Sequence, residues 1–330
     1  MQRILLVGAG TIGTSWATFF LARGLDVILH DVEPARLESA RARIAGQLAQ
    51  LVQAGLAPAS CEGAGPRELM SRLTTTVDLE QGRSAQFVQE SGPEDYDVKG
   101  AIFARLDEIV DPSVPVATSS SGLLISRLQE RTRYPGRYLV AHPFNPPHLI
   151  PLVELVPGPA TAPQVLATVR AAFEGWGKTP VTLKKEVPGH IANRLAAALW
   201  REAVSLVIQG VADVADVDRA LSAGPGLRWS IMGAHLTYHL GGGDGGLQQF
   251  WRHLGPAFET YFADLSSLTH VPPEAIAEIE QGLKQMIGDA SVAELARWRD
   301  ERLIRVLKAL AADDAGPGGA PGSQRGQASL

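Results

Sequence analysis

Residues 3–13 read Arg3-Ile4-Leu5-Leu6-Val7-Gly8-Ala9-Gly10-Thr11-Ile12-Gly13, and the reading of this stretch decides the fold. Ile4 to Val7 is a continuous apolar run of the kind that forms a strand buried on both faces. The glycines that follow match G-x-G-x-x-G. Thr14 to Ala22 then reads as a helix with apolar residues on most faces, closed by Gly24, and Val27 to His30 reads as a second strand ending at Asp31. Strand, glycine turn, helix and strand form a βαβ unit, which implies a parallel sheet. Asp31 stands 23 residues beyond Gly8. In that context the motif is a dinucleotide fingerprint rather than a bare tight turn. Gly8 permits the turn, Gly10 lets the backbone approach a pyrophosphate, and Gly13 lets helix and strand pack closely. The first turn of the helix, at Thr11 and Ile12, offers N–H donors and a partial positive charge to phosphate. The Asp31 carboxylate suits the ribose hydroxyls and repels a 2′-phosphate, which favours NAD over NADP. Arg36 is read as a helix-surface charge.

Outward from this unit the chain keeps alternating. Pro34 to Leu56 has a long helical pattern, and Ala57 to Pro66 reads as a turn between two helical arms. Strands are expected at Phe87 to Gln89, Val114 to Thr118, Arg137 to Ala141 and Leu152 to Val156, with helices between several of them. After Lys185 the composition changes. Pro188-Gly189 breaks the chain, and from there Ile191, Leu195, Leu199, Val204 and Ile208 fall near helical spacing, so helices are expected to about Ala311. The expected organisation is α/β: a Rossmann-type NAD-binding domain with a helical arm over 1–186, an all-helical domain over 187–311, and a Gly-, Pro-, Ser- and Gln-rich disordered tail over 312–330.

The 330 residues are 45% hydrophobic, enough apolar surface to build such cores, and the formal net charge of -5 carries no basic signature for nucleic acid. The single cysteine, Cys61, excludes an intrachain disulfide and a cysteine-rich metal site, and fits a reducing cytoplasm. No apolar run approaches the length of a membrane span, and the glycines that interrupt the first apolar stretch argue against a secretory signal. His235 and His239 are four residues apart, but no third ligand follows at metal spacing and Gly241-Gly242-Gly243 ends the helix, so no metal site is expected. Gly-x-Ser-x-Gly is absent.

A second constellation carries the chemistry. His142 stands at the end of an expected strand, in Val140-Ala141-His142-Pro143-Phe144-Asn145-Pro146-Pro147, and the prolines turn the chain. The next strand, Pro151-Leu152-Val153-Glu154-Leu155-Val156, carries one carboxylate in an apolar run, which is costly unless paired. Adjacent strands would bring Glu154 against His142, orient the imidazole and favour its charged form, suiting it to general acid–base work. The alternative is a structural histidine at a strand end and an edge glutamate facing water. Thr118-Ser119-Ser120-Ser121-Gly122 follows another apolar strand, at the edge where open parallel sheets bind ligands, although serine clusters are also common loop chemistry. Asn193, after Pro188-Gly189-His190, sits in the first turn of a helix, where a polar side chain can simply cap.

Taken together these motifs resemble the 3-hydroxyacyl-CoA dehydrogenase family from Met1 to about Ala311. The resemblance implies that Ser121, His142, Glu154 and Asn193 are the catalytic residues. It also implies that Val88-Gln89-Glu90-Ser91 lies beside the nicotinamide and that Glu90 and Lys99 help bind the cofactor. The segment from His142 to Glu154 is similar to two branches that act on free acids, the carnitine 3-dehydrogenases and the L-gulonate 3-dehydrogenases. Gly226-Leu227-Arg228-Trp229-Ser230-Ile231-Met232-Gly233, Leu236-Thr237-Tyr238 and Ser291-Val292-Ala293-Glu294-Leu295 look more like the carnitine branch. The serine loop departs from the family's Asn-Thr-Ser-Ser, and no lysine precedes Lys99, although Arg41, Arg43, Arg67 and Arg72 are present; this weakens the case for a CoA thioester. The resemblance therefore implies an NAD-dependent, homodimeric, cytoplasmic dehydrogenase of a small L-3-hydroxy acid, with L-carnitine the leading candidate. A quaternary ammonium is best held against aromatic faces, which makes Phe144, Trp229 and Tyr238 candidate walls, with Arg228 meeting the carboxylate. Packing roles for Trp229 and Tyr238 are the alternative. A non-catalytic structural or NAD-sensing role is the competing functional class, opposed by the intact four-residue constellation.

Overall fold

The structure, a computed structural model, describes residues 1–57 and 63–312. Cys61, part of the expected 57–66 turn and the tail beyond 312 lie outside the described residues. The described chain divides into two compact units, one of residues 1–194 with the chain from Leu303 onward, the other Leu195–Arg302. The division falls eight residues beyond the composition change at 186, inside a continuous helix.

The first unit is built on an eight-stranded sheet. Its elements are β1 Arg3–Val7, α1 Thr11–Leu21, β2 Asp26–His30, α2 Pro34–Gln53, α3 Pro66–Met70, β3 Leu73–Thr76, β4 Phe87–Glu90, α4 Tyr96–Ile109, β5 Val116–Thr118, α5 Ile125–Gln129, β6 Tyr138–Pro143, β7 Leu152–Pro157, α6 Pro163–Gly175, β8 Thr179–Thr182 and the start of α7 Ala192–Ile208. The strand order is β3-β2-β1-β4-β5-β6-β7-β8. Every neighbouring pair is parallel except β6 and β7, which are antiparallel. The sheet is thus mixed, and β7 and β8 run against the other six.

Both faces of β1 are buried, as its unbroken apolar run requires. Ile4 and Leu6 pack on one side with Trp16, Phe19 and Phe20 of α1 and Ile44 and Leu48 of α2. Leu5 and Val7 pack on the other with Phe103 and Leu106 of α4 and Ile125 and Leu128 of α5. Each such side chain, removed from water, contributes about 1.5–3 kcal/mol. Ile304, near the C-terminal end of the described chain, joins the first of these cores.

Two strands have no clear sequence signal. β3 reads Leu-Thr-Thr-Thr and occupies the place where a second helical arm was expected after the 57–66 turn; only α3, five residues long, is helical there. β8 reads Thr-Pro-Val-Thr. Both lie at sheet edges, where Thr is favourable and Pro is tolerated because one row of backbone groups faces outward. Their pairing partners, rather than their own pattern, make them strands.

The second unit is helical: the rest of α7, α8 Val214–Ala223, α9 Pro225–Trp229, α10 Ala234–Gly241, α11 Gly246–Asp264, α12 Pro273–Ile287 and the first half of α13 Val292–Ala312. Asp213 caps α8 by accepting the Asp216 N–H at 2.7 Å. Gly282 of α12 lies against Val214, so close that a Cβ there would stand 2.4 Å from Val214 Cγ2. Tyr238 of α10 packs between Phe250 and Phe258 of α11, with ring centroids 5.1 and 5.3 Å away. Trp200, Leu227, Ile231, Leu236 and Phe262 are among its exposed apolar side chains. No described helix is long and apolar enough to cross a membrane.

Candidate active site

The glycine turn connects β1 to α1. Gly8 adopts φ +105°, and a Cβ on it would lie 2.6 Å from Ser91 O. A Cβ on Gly13 would lie 1.8 Å from Gly8 O, so helix and turn meet there with no room for a side chain. Gly10 differs: among the described residues beyond its own chain neighbours, nothing lies within 4 Å of where its Cβ would be. Gly10 is also the N-cap of α1, with no side-chain cap and no acidic residue in the first turn. The N–H groups at Thr11 and Ile12, given no side-chain cap among the described residues, make an arrangement that suits a diphosphate. Asp31, at the end of β2, is buried; one carboxylate oxygen accepts the Ala9 N–H at 2.7 Å and the other the Glu33 N–H at 3.0 Å. Asp31 thus holds the turn, at the strand end where dinucleotide-binding folds of this kind recognise a ribose. These residues fit NAD: open backbone at Gly10, an uncapped helix start and an acid at the neighbouring strand end.

β4 brings Glu90 to the next strand end. Glu90 and Lys99 are 0% and 1% exposed and face each other, Nζ lying 2.9 and 2.8 Å from the two carboxylate oxygens. Thr118 donates to Glu90 Oε2 at 2.6 Å and Lys99 donates to Gly92 O at 3.2 Å. These two side chains, which the family resemblance implies as cofactor-binding, pair with each other and brace the loop that follows β4. That loop carries Glu94, which had no sequence signal. Its Oε1 accepts from Ser120 Oγ at 2.6 Å and from the N–H groups of Ser121 and Gly122 at 2.9 and 2.8 Å. Burial pushes the Glu94 carboxyl up, but the bonds from Ser120 and Gly122 and the nearby Lys99 charge outweigh it and hold the carboxyl below its usual range. The serine loop after β5 is thereby fixed. Ser119 is turned inward to Trp16, Gln89 and Ser91, whereas the Ser121 hydroxyl, half-buried, takes no partner among the described residues.

His142 and Glu154 are directly opposite each other in the antiparallel β6–β7 pair. Their side chains meet, Nδ1 to Oε2, at 2.9 Å. The other oxygen, Oε1, accepts the N–H groups of Ile191 and Ala192 at 2.8 and 2.9 Å, at the start of α7. Glu154 is 1% exposed. Burial raises its carboxyl, while the His142 bond and the two backbone donors lower it by more, so it stays ionised. An ionised carboxylate only accepts, so Nδ1 carries the proton and Nε2 of His142 is the basic nitrogen. Nε2 makes no hydrogen bond among the described residues and is not enclosed. Asn193 lies in the same first turn of α7, half-buried, its side chain unpartnered among the described residues.

The connection between β6 and β7 is held from below. Lys178 donates to the carbonyls of Pro147 and Ile150, the latter at 2.8 Å, and its ammonium lies 4.2 Å from the Phe19 ring centroid. Ser15 of α1 bonds both Nδ1 and the backbone N–H of His148, at 2.7 and 2.9 Å. The helix that would face the cofactor phosphates therefore also anchors the hairpin that carries His142.

Beside His142 stands His190, a residue that sequence reasoning passed over as part of a Pro-Gly turn. Its ring centroid is 5.0 Å from that of His142. The first unit therefore brings His142, Glu154, the serine loop and the Asn193 turn together. Phe144 lies half-buried just past β6. The remaining substrate candidates belong to the second unit: Arg228 and Trp229 are exposed on α9, and Tyr238 is engaged in the aromatic packing of α10 and α11.

Comparison with known proteins bears on the whole chain. The family model described as 3-hydroxyacyl-CoA dehydrogenase, NAD binding domain, matches residues 3–187, and the 3-hydroxyacyl-CoA dehydrogenase, C-terminal domain, matches residues 189–269. The chain is 40% identical to an L-carnitine dehydrogenase of Pseudomonas sp over 305 residues, covering 92% of each. It is 41% identical to an L-carnitine dehydrogenase of Streptomyces coelicolor over 310 residues, 94% of this chain and 95% of that one. Among solved structures it is similar to 5-formyl-3-hydroxy-2-methylpyridine 4-carboxylic acid 5-dehydrogenase, an NAD+-dependent dismutase, with TM-score 0.78, 30% identity and coverage of 94% and 98% of the two chains.

Proposed function

The chain belongs to the 3-hydroxyacyl-CoA dehydrogenase family, and on that premise we propose that it oxidises the 3-hydroxyl of L-carnitine to the 3-ketone. The observation that carries the chemistry is the buried His142–Glu154 pair, whose geometry leaves Nε2 of His142 free to take a proton. Similarity to L-carnitine dehydrogenases over more than nine-tenths of the chain carries the substrate.

NAD bound at the glycine turn supplies the hydride acceptor. In the oxidation His142 Nε2 removes the hydroxyl proton as C3 gives up its hydride, and the C–O bond becomes a carbonyl. Glu154 holds the imidazole in the Nδ1–H tautomer and stabilises the imidazolium that forms. The hydroxyl of Ser121 and the amide of Asn193, each without a partner among the described residues, are available to hydrogen-bond the reacting oxygen and hold the near-attack geometry. The buried Glu90–Lys99 pair and Glu94 keep the serine loop in place.

Arg228 and Trp229 are proposed, on the sequence resemblance, as substrate-recognition residues. Phe144 is a candidate aromatic wall in the first unit. Tyr238, packed between two phenylalanines, has less of its ring to offer. The helical unit is proposed as the dimerisation domain and the cytoplasm as the compartment; a dimeric mass by light scattering at micromolar concentration tests the first. The substrate is tested by comparing kcat/KM for L-carnitine, L-gulonate, 3-hydroxybutyrate and 3-hydroxybutyryl-CoA with NAD, read as NADH absorbance. L-Carnitine should lead clearly. A higher value for either hydroxybutyrate substrate overturns the cationic substrate, and a higher value for gulonate moves the chain to the other branch.

A further inference from the structure

The turn that leads into α7 joins two parts of the site that arrive from different strands. Gly189 N–H donates to Ser121 O at 3.2 Å, and His190 Nε2 lies 3.0 Å from Ser120 O. The next two N–H groups, of Ile191 and Ala192, hold Glu154 Oε1. Four consecutive residues therefore tie the serine loop after β5 to the His142–Glu154 pair on β6 and β7.

His190 stands at the centre of this tie. Its backbone is left-handed, φ 52°, the one such non-glycine among the described residues. Glycine would adopt that conformation without cost, and His, Asn and Asp tolerate it better than most side chains. The imidazole is 4% exposed. A carbonyl oxygen only accepts, so Nε2 carries the ring proton and donates to Ser120 O. Nδ1 is then a bare acceptor, enclosed and without a partner among the described residues. Burial lowers the ring's pKa, the Ser120 carbonyl raises it by less, and the neighbouring His142 lowers it further. A ring kept for volume alone would not need a nitrogen aimed at the serine-loop backbone.

We infer that His190 is a positioning residue: its Nε2–H holds Ser120, and through it the Ser121 hydroxyl, in register with Nε2 of His142. This rests on the reading of His142 and Ser121 given above. The role needs a donor at the Nε2 position and nothing else from the ring. Gln places an amide N–H the same number of bonds from the backbone as Nε2. Asn keeps a residue suited to the left-handed backbone but falls short of Ser120 O. Phe keeps the ring and loses the donor.

The test compares His190→Asn, His190→Gln and His190→Phe with the unmodified enzyme for kcat, KM, NAD affinity and Tm. Asn and Phe should lower kcat by roughly 10- to 100-fold, the scale of a misplaced reacting group, with NAD affinity within about threefold. Gln should recover most of the loss. In a Ser121→Ala background the Asn substitution should cost less than about threefold more, because the group it positions is gone. A purely structural role predicts instead that kcat follows Tm, that Phe is tolerated, and that the Asn and Ser121→Ala losses multiply; any of these overturns the inference. His142→Ala separates the two readings. Near-normal turnover in that variant removes the mechanism and this inference together. An inactive His142→Ala beside a His190→Phe enzyme within about threefold of normal removes this inference alone.

Discussion

The first turns of α1 and α7 present the same physical problem and solve it in opposite ways. Each leaves backbone N–H groups that no residue of the helix can satisfy. At α7 the chain fills the vacancy itself, with Glu154 Oε1 receiving the N–H groups of Ile191 and Ala192. At α1 it does not: Gly10 provides no cap, the first turn holds no acid, and the space over Gly10 is clear. A helix start closed by an internal carboxylate is a device for holding that carboxylate. A helix start left open beside a glycine turn leaves its N–H groups available to a ligand. The difference separates the part of the site proposed to transfer the proton from the part proposed to bind phosphate, and substitutions can test each separately.

The largest effect is expected on the closed side. His142→Ala should lower kcat by roughly 10²–10⁴, the usual range for loss of a general base, while NAD affinity, measured by fluorescence or calorimetry, stays within about threefold. Comparable loss of NAD binding would mean that the two regions are not separable. On the open side two glycines should behave differently. Gly13→Ala puts a methyl 1.8 Å from Gly8 O, so the backbone must shift, and an overpacking cost of about 1–3 kcal/mol should appear as a lower Tm together with lost NAD binding. Gly10→Ala meets no non-neighbouring atom among the described residues; Tm should be unchanged and NAD affinity should fall about tenfold or more. An unchanged affinity would show that the cofactor does not pass over Gly10.

Asp31 is a smaller lever because it holds the turn as well as standing at the proposed ribose site. Ala would also remove the acceptor for the Ala9 and Glu33 N–H groups, so Asp31→Asn, which keeps one acceptor, is the cleaner change. It should narrow the preference for NAD over NADP by about tenfold, the scale of losing one charge-assisted contact. A preference that does not move would take ribose recognition away from this residue.

The smallest effect is on stability against pH. Glu154 is held below the usual carboxylate range. A carboxyl whose folded pKa is depressed contributes stability above its unfolded value, about 4.3, and that contribution is lost as pH falls through the lower folded value. The Tm difference between the unmodified protein and Glu154→Gln should therefore be largest at neutral pH and shrink below about pH 4. A difference independent of pH would show that the charge of Glu154 is not what the first turn of α7 and His142 stabilise.

The sequence by itself determined the cofactor end of the molecule. Gly8, Gly10, Gly13 and Asp31 lie within one βαβ unit, and the contacts that matter there, Gly13 on Gly8 and Asp31 on Ala9, span at most 22 residues. Local spacing encodes them, because a strand, a tight turn and a helix have fixed dimensions. His142 and Glu154 were legible as candidates for a related reason: a lone carboxylate in a buried apolar strand needs a partner, and a hairpin offers one. Their alignment, though, is set by the β6–β7 register, and a slip of one residue would turn the two side chains to opposite faces. The edge strands β3 and β8 had no periodic pattern of their own and exist because neighbours supply their hydrogen bonds. Glu90 and Lys99 entered as cofactor-binding residues through the family resemblance alone, and only the packing around β4 and α4 shows them buried against each other. Glu94 and His190 were not legible at all. Each acts through backbone groups more than 25 residues away, Glu94 on the serine loop and His190 on Ser120, and backbone donors and acceptors leave no mark in a sequence. Only the tertiary structure decides which distant carbonyl or N–H a side chain will meet.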